Sequence, residues 1–301
     1  MDNRKWGESF LKSGLPLEHL TLFHFRSLGY YCSPSIQYQR SDETDQMKWF
    51  EIDLRAESAS KNKDTSVCFL VECKYHDENR FWFFLPHEAH RWHFDDRFFN
   101  CGPYQTLNKP TAKTALMLAP LSYVGIVVSQ DGQKQDNAVH TAIQQLTNAF
   151  VPLTLRSSFD FLLKATPPSA QAVIPMIVTN AKIFRLKPSI TSIEIIREAA
   201  FQSEIADELE WIWCFHDSSM EVAVRNEGIA KNFKKREAKM LSRFPVINRR
   251  LENWATRPNW IAITNIKSLS VAIKSIEQHF LSLQTCKILT ARKENRKVRV
   301  E

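Results

Sequence analysis

The sequence predicts an α/β fold with a central mixed sheet flanked by helices. Three observations carry that prediction: a helical hydrophobic pattern over residues 16–28, three strand-like runs after it, and a second helical pattern leading into a Val- and Ile-rich strand. A length of 301 residues is enough to bury a substantial core, as one large domain or two small ones.

The elements follow in order. Leu15, Glu18, Leu22 and Phe25 fall on one helical face, with Leu17, Leu20 and Leu28 beside them, and Gly29 ends the helix. Residues 30–39 read as a strand that Pro34 bends or confines to an edge. Residues 48–54 and 67–75 are the next two strands, joined by a polar connection long enough for a hairpin. Residues 76–120 contain the run Arg80-Phe81-Trp82-Phe83-Phe84 and then His87, His90 and His93, without a clean period. They read as a partly helical insertion lying over a site or on its rim. Residues 123–129 form a short strand closed by a Gln130-Asp131-Gly132 turn. A helix over 136–150 buries Val139, Ile143, Leu146 and Phe150, and 172–186 is one buried strand bent or entered at Pro175.

This completes a first unit, residues 1–187. The remainder, 188–301, reads as an α/β extension: a helix over 189–209, strand-like segments around 211–215, a strand at 260–266, a helix at 268–283 and a mobile charged tail over 291–301. Between 225 and 250 nine basic residues stand against two acidic ones. Lys231, Lys235 and Lys239 are helically spaced, and with Lys234 and Arg243 they are the candidate phosphate contacts; the alternative is a solvated helix face.

The net charge of +7 suits a polyanionic partner. Only seven glycines occur, and no glycine-rich nucleotide-binding motif is present. The six cysteines form no CxxC pair, no secretory leader is apparent, and no run approaches a membrane span. The expectation is a reduced, cytoplasmic protein with no membrane partner.

The chemistry concentrates at Asp53 and, nineteen residues later, Glu72-Cys73-Lys74, each at the end of an apolar strand. Strand alternation puts Glu72 and Lys74 on one face, and Glu51 and Asp53 on a face opposite Phe50, Ile52 and Leu54. Two carboxylates and an ammonium at one sheet edge are what is needed to hold a divalent cation beside a phosphodiester and to orient a water. The bland alternative is a cross-strand ion-pair ladder on a solvated face.

Glu18 on the helix, Asp53 on one strand and Glu72-Cys73-Lys74 on the next form an ordered set that resembles the PD-(D/E)xK nuclease superfamily. Its closest flavour is the Mrr-like and archaeal-resolvase-like branch, and the resemblance covers residues 15 to about 187. It implies a restriction-endonuclease-like core and Mg²⁺- or Mn²⁺-dependent hydrolysis of DNA that leaves a 5′-phosphate, in a defence, repair or mobile-element setting. It implies that Asp53, Glu72 and the Cys73 carbonyl ligate the metal, that Glu18 completes the shell or holds a second ion, and that Lys74 positions the water. Homodimers or larger assemblies are common in such a family. Ile52 stands where the family name has proline, and Gln144 and Gln145 lack the tyrosine of a QxxxY motif. The alternatives are a protein of this fold that binds nucleic acid or assembles a complex without cutting.

His76, His87, His90 and His93 invite a zinc reading, but no cysteine pair or HExxH completes it. Aromatic packing or substrate contact is the preferred role for these histidines, and the aromatic run near Trp82 reads as core or a protein contact surface ahead of a platform for splayed bases.

Overall fold

In a computed structural model the described residues are 4–41, 46–58, 65–77, 79–87, 118–129, 137–162, 170–216, 219–242 and 260–279. Ten strands among them form one mixed sheet, ordered β1-β2-β3-β6-β10-β9-β5-β4-β7-β8. The strands are β1 (Tyr30–Ser41), β2 (Met47–Ser58), β3 (Thr65–Lys74), β4 (Arg80–Pro86), β5 (Leu121–Ser129), β6 (Ala170–Thr179), β7 (Lys182–Leu186), β8 (Ala206–Leu209), β9 (Trp211–Phe215) and β10 (Trp260–Asn265). The principal helices are α1 (Arg4–Lys12), α2 (Leu15–Ser27), α3 (Ala138–Leu162), α4 (Ile193–Glu198), α5 (Gln202–Ile205), α6 (Met220–Arg236) and α7 (Ala238–Leu241), followed by α8 over 269–279. No helix of the described residues is long and apolar enough to cross a membrane.

Helices cover both faces of the sheet. Leu17 and Phe25 of α2 and Leu269, Ala272, Ile273 and Ile276 of α8 pack on Phe69, Val71, Ile174 and Met176. On the other face, α3 (Val139, Ile143, Leu146, Phe150) and α6 (Ala230, Phe233) pack on Cys68, Leu70, Ile177 and Ile263. Strand alternation produces this division: consecutive β3 residues serve opposite cores, so the strand reads as a continuous apolar run. On α2 the buried stripe is Leu17, Thr21 and Phe25, whereas Leu15 and Leu20, assigned to the apolar face from spacing, are exposed. The i, i+4, i+8 set faces the sheet most directly, with Leu22 packed at its side.

β1, β2 and β3 form an antiparallel meander, and β6 returns through α3 to lie parallel to β3. β1 is a sheet edge, as Pro34 suggested. Three parts of the chain differ from expectation. Residues 80–86 are strand β4 where a partly helical insertion was expected, and Phe81, Trp82 and Phe84 are buried, which agrees with the core reading of the run near Trp82. The span 172–186 is two strands: β6 ends at Thr179, and β7 pairs instead with β4 and β8. The span 189–209 holds only the short helices α4 and α5 before entering β8, because Leu186 and Ile183 offer a strand edge that Ala206 and Leu209 join. The interior of the insertion (88–117), the turn at 130–132, His90, His93, Arg243 and the tail at 291–301 lie outside the described residues.

The break between β6 and β7 lines up with that between β3 and β4. Asn180 clamps both: its Oδ1 accepts from the His76 backbone N–H and its Nδ2 donates to the His76 carbonyl, each at 2.7 Å. Asn265, ending β10, donates through Nδ2 to the carbonyls of Asn180 at 3.2 Å and Ala181 at 2.8 Å. Each strand pair therefore crosses from one half of the sheet to the other through a single amide seam. Asn180→Ala removes two of these bonds from a part-buried peptide and is expected to cost roughly 2–4 kcal/mol, read as a lowered denaturation midpoint. A change under about 0.5 kcal/mol, the scatter of surface substitutions, would discard the clamp.

Candidate functional site

β2 and β3 run side by side only as far as the rung Leu54↔Val71. Beyond it β3 keeps its partner on the other edge, through Glu72↔Ile177, Cys73↔Val178 and Lys74↔Thr179. Asp53 fills the gap with its side chain: the Cys73 N–H donates to Asp53 Oδ2 at 2.6 Å. A carboxylate thus replaces the main-chain acceptor that a continuing ladder would supply.

The parting has a local cause. On β1, Ser35 adopts φ 52, a left-handed conformation rare for a residue with a Cβ. Its neighbours pair as Pro34↔Leu54 and Ile36↔Ile52, which places Ser35 across from Asp53. Leu54 packs into the core beneath α2, yet Ile52 packs into the opposite core beneath α3. Simple alternation put these two residues on one face; the irregularity at the rung of Ser35 and Asp53 separates them. Irregularities of this kind re-aim side chains at sheet edges and beside sites.

Glu72 is 2 % exposed, and Lys74 Nζ donates to its Oε1 at 2.7 Å. Glu72 Oε2 is buried with no hydrogen-bond partner among the described residues. A solvated ion-pair ladder does not describe this arrangement. On the other side of the gap, Cys73 donates its thiol to Thr21 of α2 at 3.5 Å. Thr21 is one helical turn from Glu18, so α2 brings Glu18 towards the same gap. Gly14 starts that helix in a left-handed conformation at φ 83, and a Cβ there would lie 3.6 Å from Glu18 Oε1.

The groups feel one another electrostatically. Burial, then the charge of Asp53, pushes Glu72 up to about 7 against the pull of Lys74. Asp53 is raised by burial, opposed by the Cys73 amide and Lys74 and reinforced by Glu51. Glu18 is raised by burial and then by Asp53 and Glu51, with Lys74 opposing. The Cys73 thiol is held well above its ordinary value by burial, which leaves it a neutral donor. Four carboxyl groups share one ammonium, so the site carries an unmet demand for positive charge. Among the described residues, no three His, Cys, Asp or Glu side chains already stand arranged to hold a metal ion. Asp53 is turned onto an amide and Glu72 onto Lys74.

The remaining candidates lie elsewhere. Lys231, Lys235 and Lys239 are exposed and Lys234 is half-buried, and Lys231 approaches Glu227 at 3.9 Å. α6 ends at Arg236 and Lys239 belongs to the separate α7, so the lysine spacing does not form one continuous helical stripe. The ring of His76 packs edge-on to Trp82 at 5.5 Å, and that of His87 sits among Tyr123, Phe215 and Trp260. Gln144 is exposed, and Gln145 is half-buried with its side-chain oxygen unpartnered among the described residues. Sequence reading missed Ser35 and Thr21. The first carried no signal, whereas the second was available as the i+3 neighbour of Glu18. No protein-family model, no curated protein and no solved structure matches this chain.

Proposed function

We propose that the chain is a metal-dependent nuclease that hydrolyses phosphodiester bonds in DNA. One observation carries the reading: Asp53, Glu72 and Lys74 meet where β2 parts from β3, with Glu18 in the same electrostatic field. The order of α2, the β1–β2–β3 meander, α3 and a β6 parallel to β3 supports it, because a PD-(D/E)xK core has that order.

The donor set fits a hard divalent cation such as Mg²⁺ or Mn²⁺. Its oxygens come from carboxylates, mutual repulsion raises their affinity for protons and cations alike, and one buried carboxylate oxygen lacks a partner. Asp53 and Glu72 would hold the ion, with Glu18 and the Cys73 carbonyl completing its shell. A bound ion of this kind polarises phosphate and lowers the pKa of water. Lys74, anchored on Glu72, offers its remaining N–H donors to the attacking water and to the charge that develops on the phosphate. Free thiols at Cys32, Cys68, Cys73 and Cys214 suit action on DNA in a reducing cytoplasm.

The test incubates the purified chain with labelled duplex, single-stranded and branched DNA, in Mg²⁺ or Mn²⁺ and in EDTA. Cleavage in metal alone, leaving 5′-phosphate ends, is the expected result. At limiting Mg²⁺ the rate should climb as pH passes through about 7, where Glu72 loses its proton; saturating Mg²⁺ should move that climb to lower pH, since ligands bind deprotonated. Binding without cleavage would favour a nuclease-like protein that assembles on DNA without cutting it.

A further inference from the structure

A groove of about 960 Å³ runs between the outer half of the β1–β2 ribbon and the helices α3 and α6. It adjoins a second hollow of about 460 Å³, and the two share Gln37, Trp49, Leu153 and Arg156. The second hollow reaches Ser35, which stands across from Asp53, and Arg55, two residues further along β2. The same two strands, β1 and β2, carry the Ser35–Asp53 rung and form one wall of the groove.

The groove has a definite chemistry. Tyr38, Leu153 and Phe233 are buried in its floor. Arg40, Arg156, Arg225 and Arg236 line it, against the carboxylates of Glu221 and Glu237. Those two acids are engaged with Arg225 at 3.0 Å and Arg236 at 2.8 Å. Arg40 lies over the Phe50 ring at 4.0 Å, and Arg156 makes no ion pair among the described residues. Trp49 stands at the mouth, 64 % exposed.

We propose that this groove holds a single-stranded polynucleotide, with Arg156 and Arg40 on its phosphates and a base stacked on Trp49. The proposal rests on the nuclease reading for its substrate class and adds a track that delivers a strand to the Asp53 gap. Guanidinium groups spaced along a concave strip match a run of phosphates, and one exposed indole matches an unpaired base. A duplex keeps its base faces stacked inside and cannot use Trp49 in this way. The groove also differs from the outward lysines of α6, since it is lined by the opposite face of that helix through Arg225, Ile229 and Arg236.

The test measures fluorescence anisotropy of a labelled oligothymidylate of ~12 nucleotides, within the usual site size for such grooves, with the full chain in EDTA so that nothing is cut. Arg156→Glu should weaken binding at least about tenfold and flatten its salt dependence by about one or two phosphate contacts. Trp49→Ala should weaken it about tenfold with the salt slope unchanged. Circular dichroism checks that these exposed substitutions leave the fold intact. Wild-type affinity in both variants overturns the proposal, as does a duplex of equal length that binds equally well and loses equally. Metal-dependent cleavage that survives with groove binding absent sinks the track and keeps the nuclease. Groove binding without any cleavage keeps the track and sinks the nuclease.

Discussion

Asp53→Asn is expected to lower metal-dependent DNA cleavage by about 10³-fold, the scale on which one charge-stabilising group contributes to a transition state. The asparagine side chain still offers an oxygen to the Cys73 amide, which Asp53 holds at 2.6 Å, so the parting of β2 and β3 should persist. Asp53→Ala removes that acceptor as well and should cost a further ~1–3 kcal/mol of stability for a buried donor left unmet. Comparing the two substitutions separates chemistry from scaffold. Lys74→Ala should abolish cleavage to a similar extent, and it leaves Glu72 buried without its partner. Single-turnover cleavage at saturating Mg²⁺ reads all three. If Asp53→Asn and Lys74→Ala both cut at the wild-type rate, the site has been misassigned.

Glu72→Gln should abolish cleavage and yet stabilise the metal-free fold. Glu72 is held up at about 7 in the folded chain, above the ordinary carboxyl value of 4.5 that an unfolded chain returns to. Below 4.5 both states carry the proton, and the folded state bears no penalty. As pH rises from there through about 7, the unfolded chain releases its proton first and stability falls; above about 7 the loss is complete. Glutamine cannot ionise, so in EDTA at pH 8 the variant should gain on the order of 2–3 kcal/mol, and almost nothing at pH 4. Divalent metal should reverse the ranking, because it binds and stabilises only the wild-type site. Denaturant melts at both pH values, with and without Mg²⁺, measure this. A variant less stable than wild type at pH 8 in EDTA would show that Lys74 outweighs burial and the Asp53 charge.

Much of the site was legible because its parts sit at strand ends, where alternation and length are readable. Glu72 and Lys74 are two residues apart, so a straight strand was enough to bring them together. Alternation failed one strand away, at Ile52 and Leu54, because a positive φ at Ser35 leaves no trace in hydrophobic periodicity. The same limit accounts for β4. An aromatic strand buried on both faces has no period to show, so Phe81 to Phe84 resembled an irregular insertion. The strands β6 and β7 merged because Asn180 and Ala181 form too short a break to register as a turn, although the partner strands change completely across it. The groove was invisible for another reason. Arg40, Arg156 and Arg225 lie on three separate elements, β1, α3 and α6, which come together only in the fold.

The place of β10 in the sheet bears on how the protein is made. Trp260–Asn265 is the most C-terminal of the described strands, yet it occupies an interior position between β6 and β9. A ribosome delivers the meander and β6 first, and for the whole of the interval up to residue 265 one long edge of β6 has no neighbour. That edge is apolar on both faces, with Ile174, Met176, Ile177 and Val178 all buried once β10 arrives. The nascent chain therefore presents an unprotected strand template throughout synthesis of residues 180–265. Closing it requires contacts far apart in sequence, which makes the late step of folding slow by topology alone. The proposed site and this vulnerability are tied together: β6 holds the strand that carries Glu72 and Lys74, and its other edge is covered by the most C-terminal of the described strands.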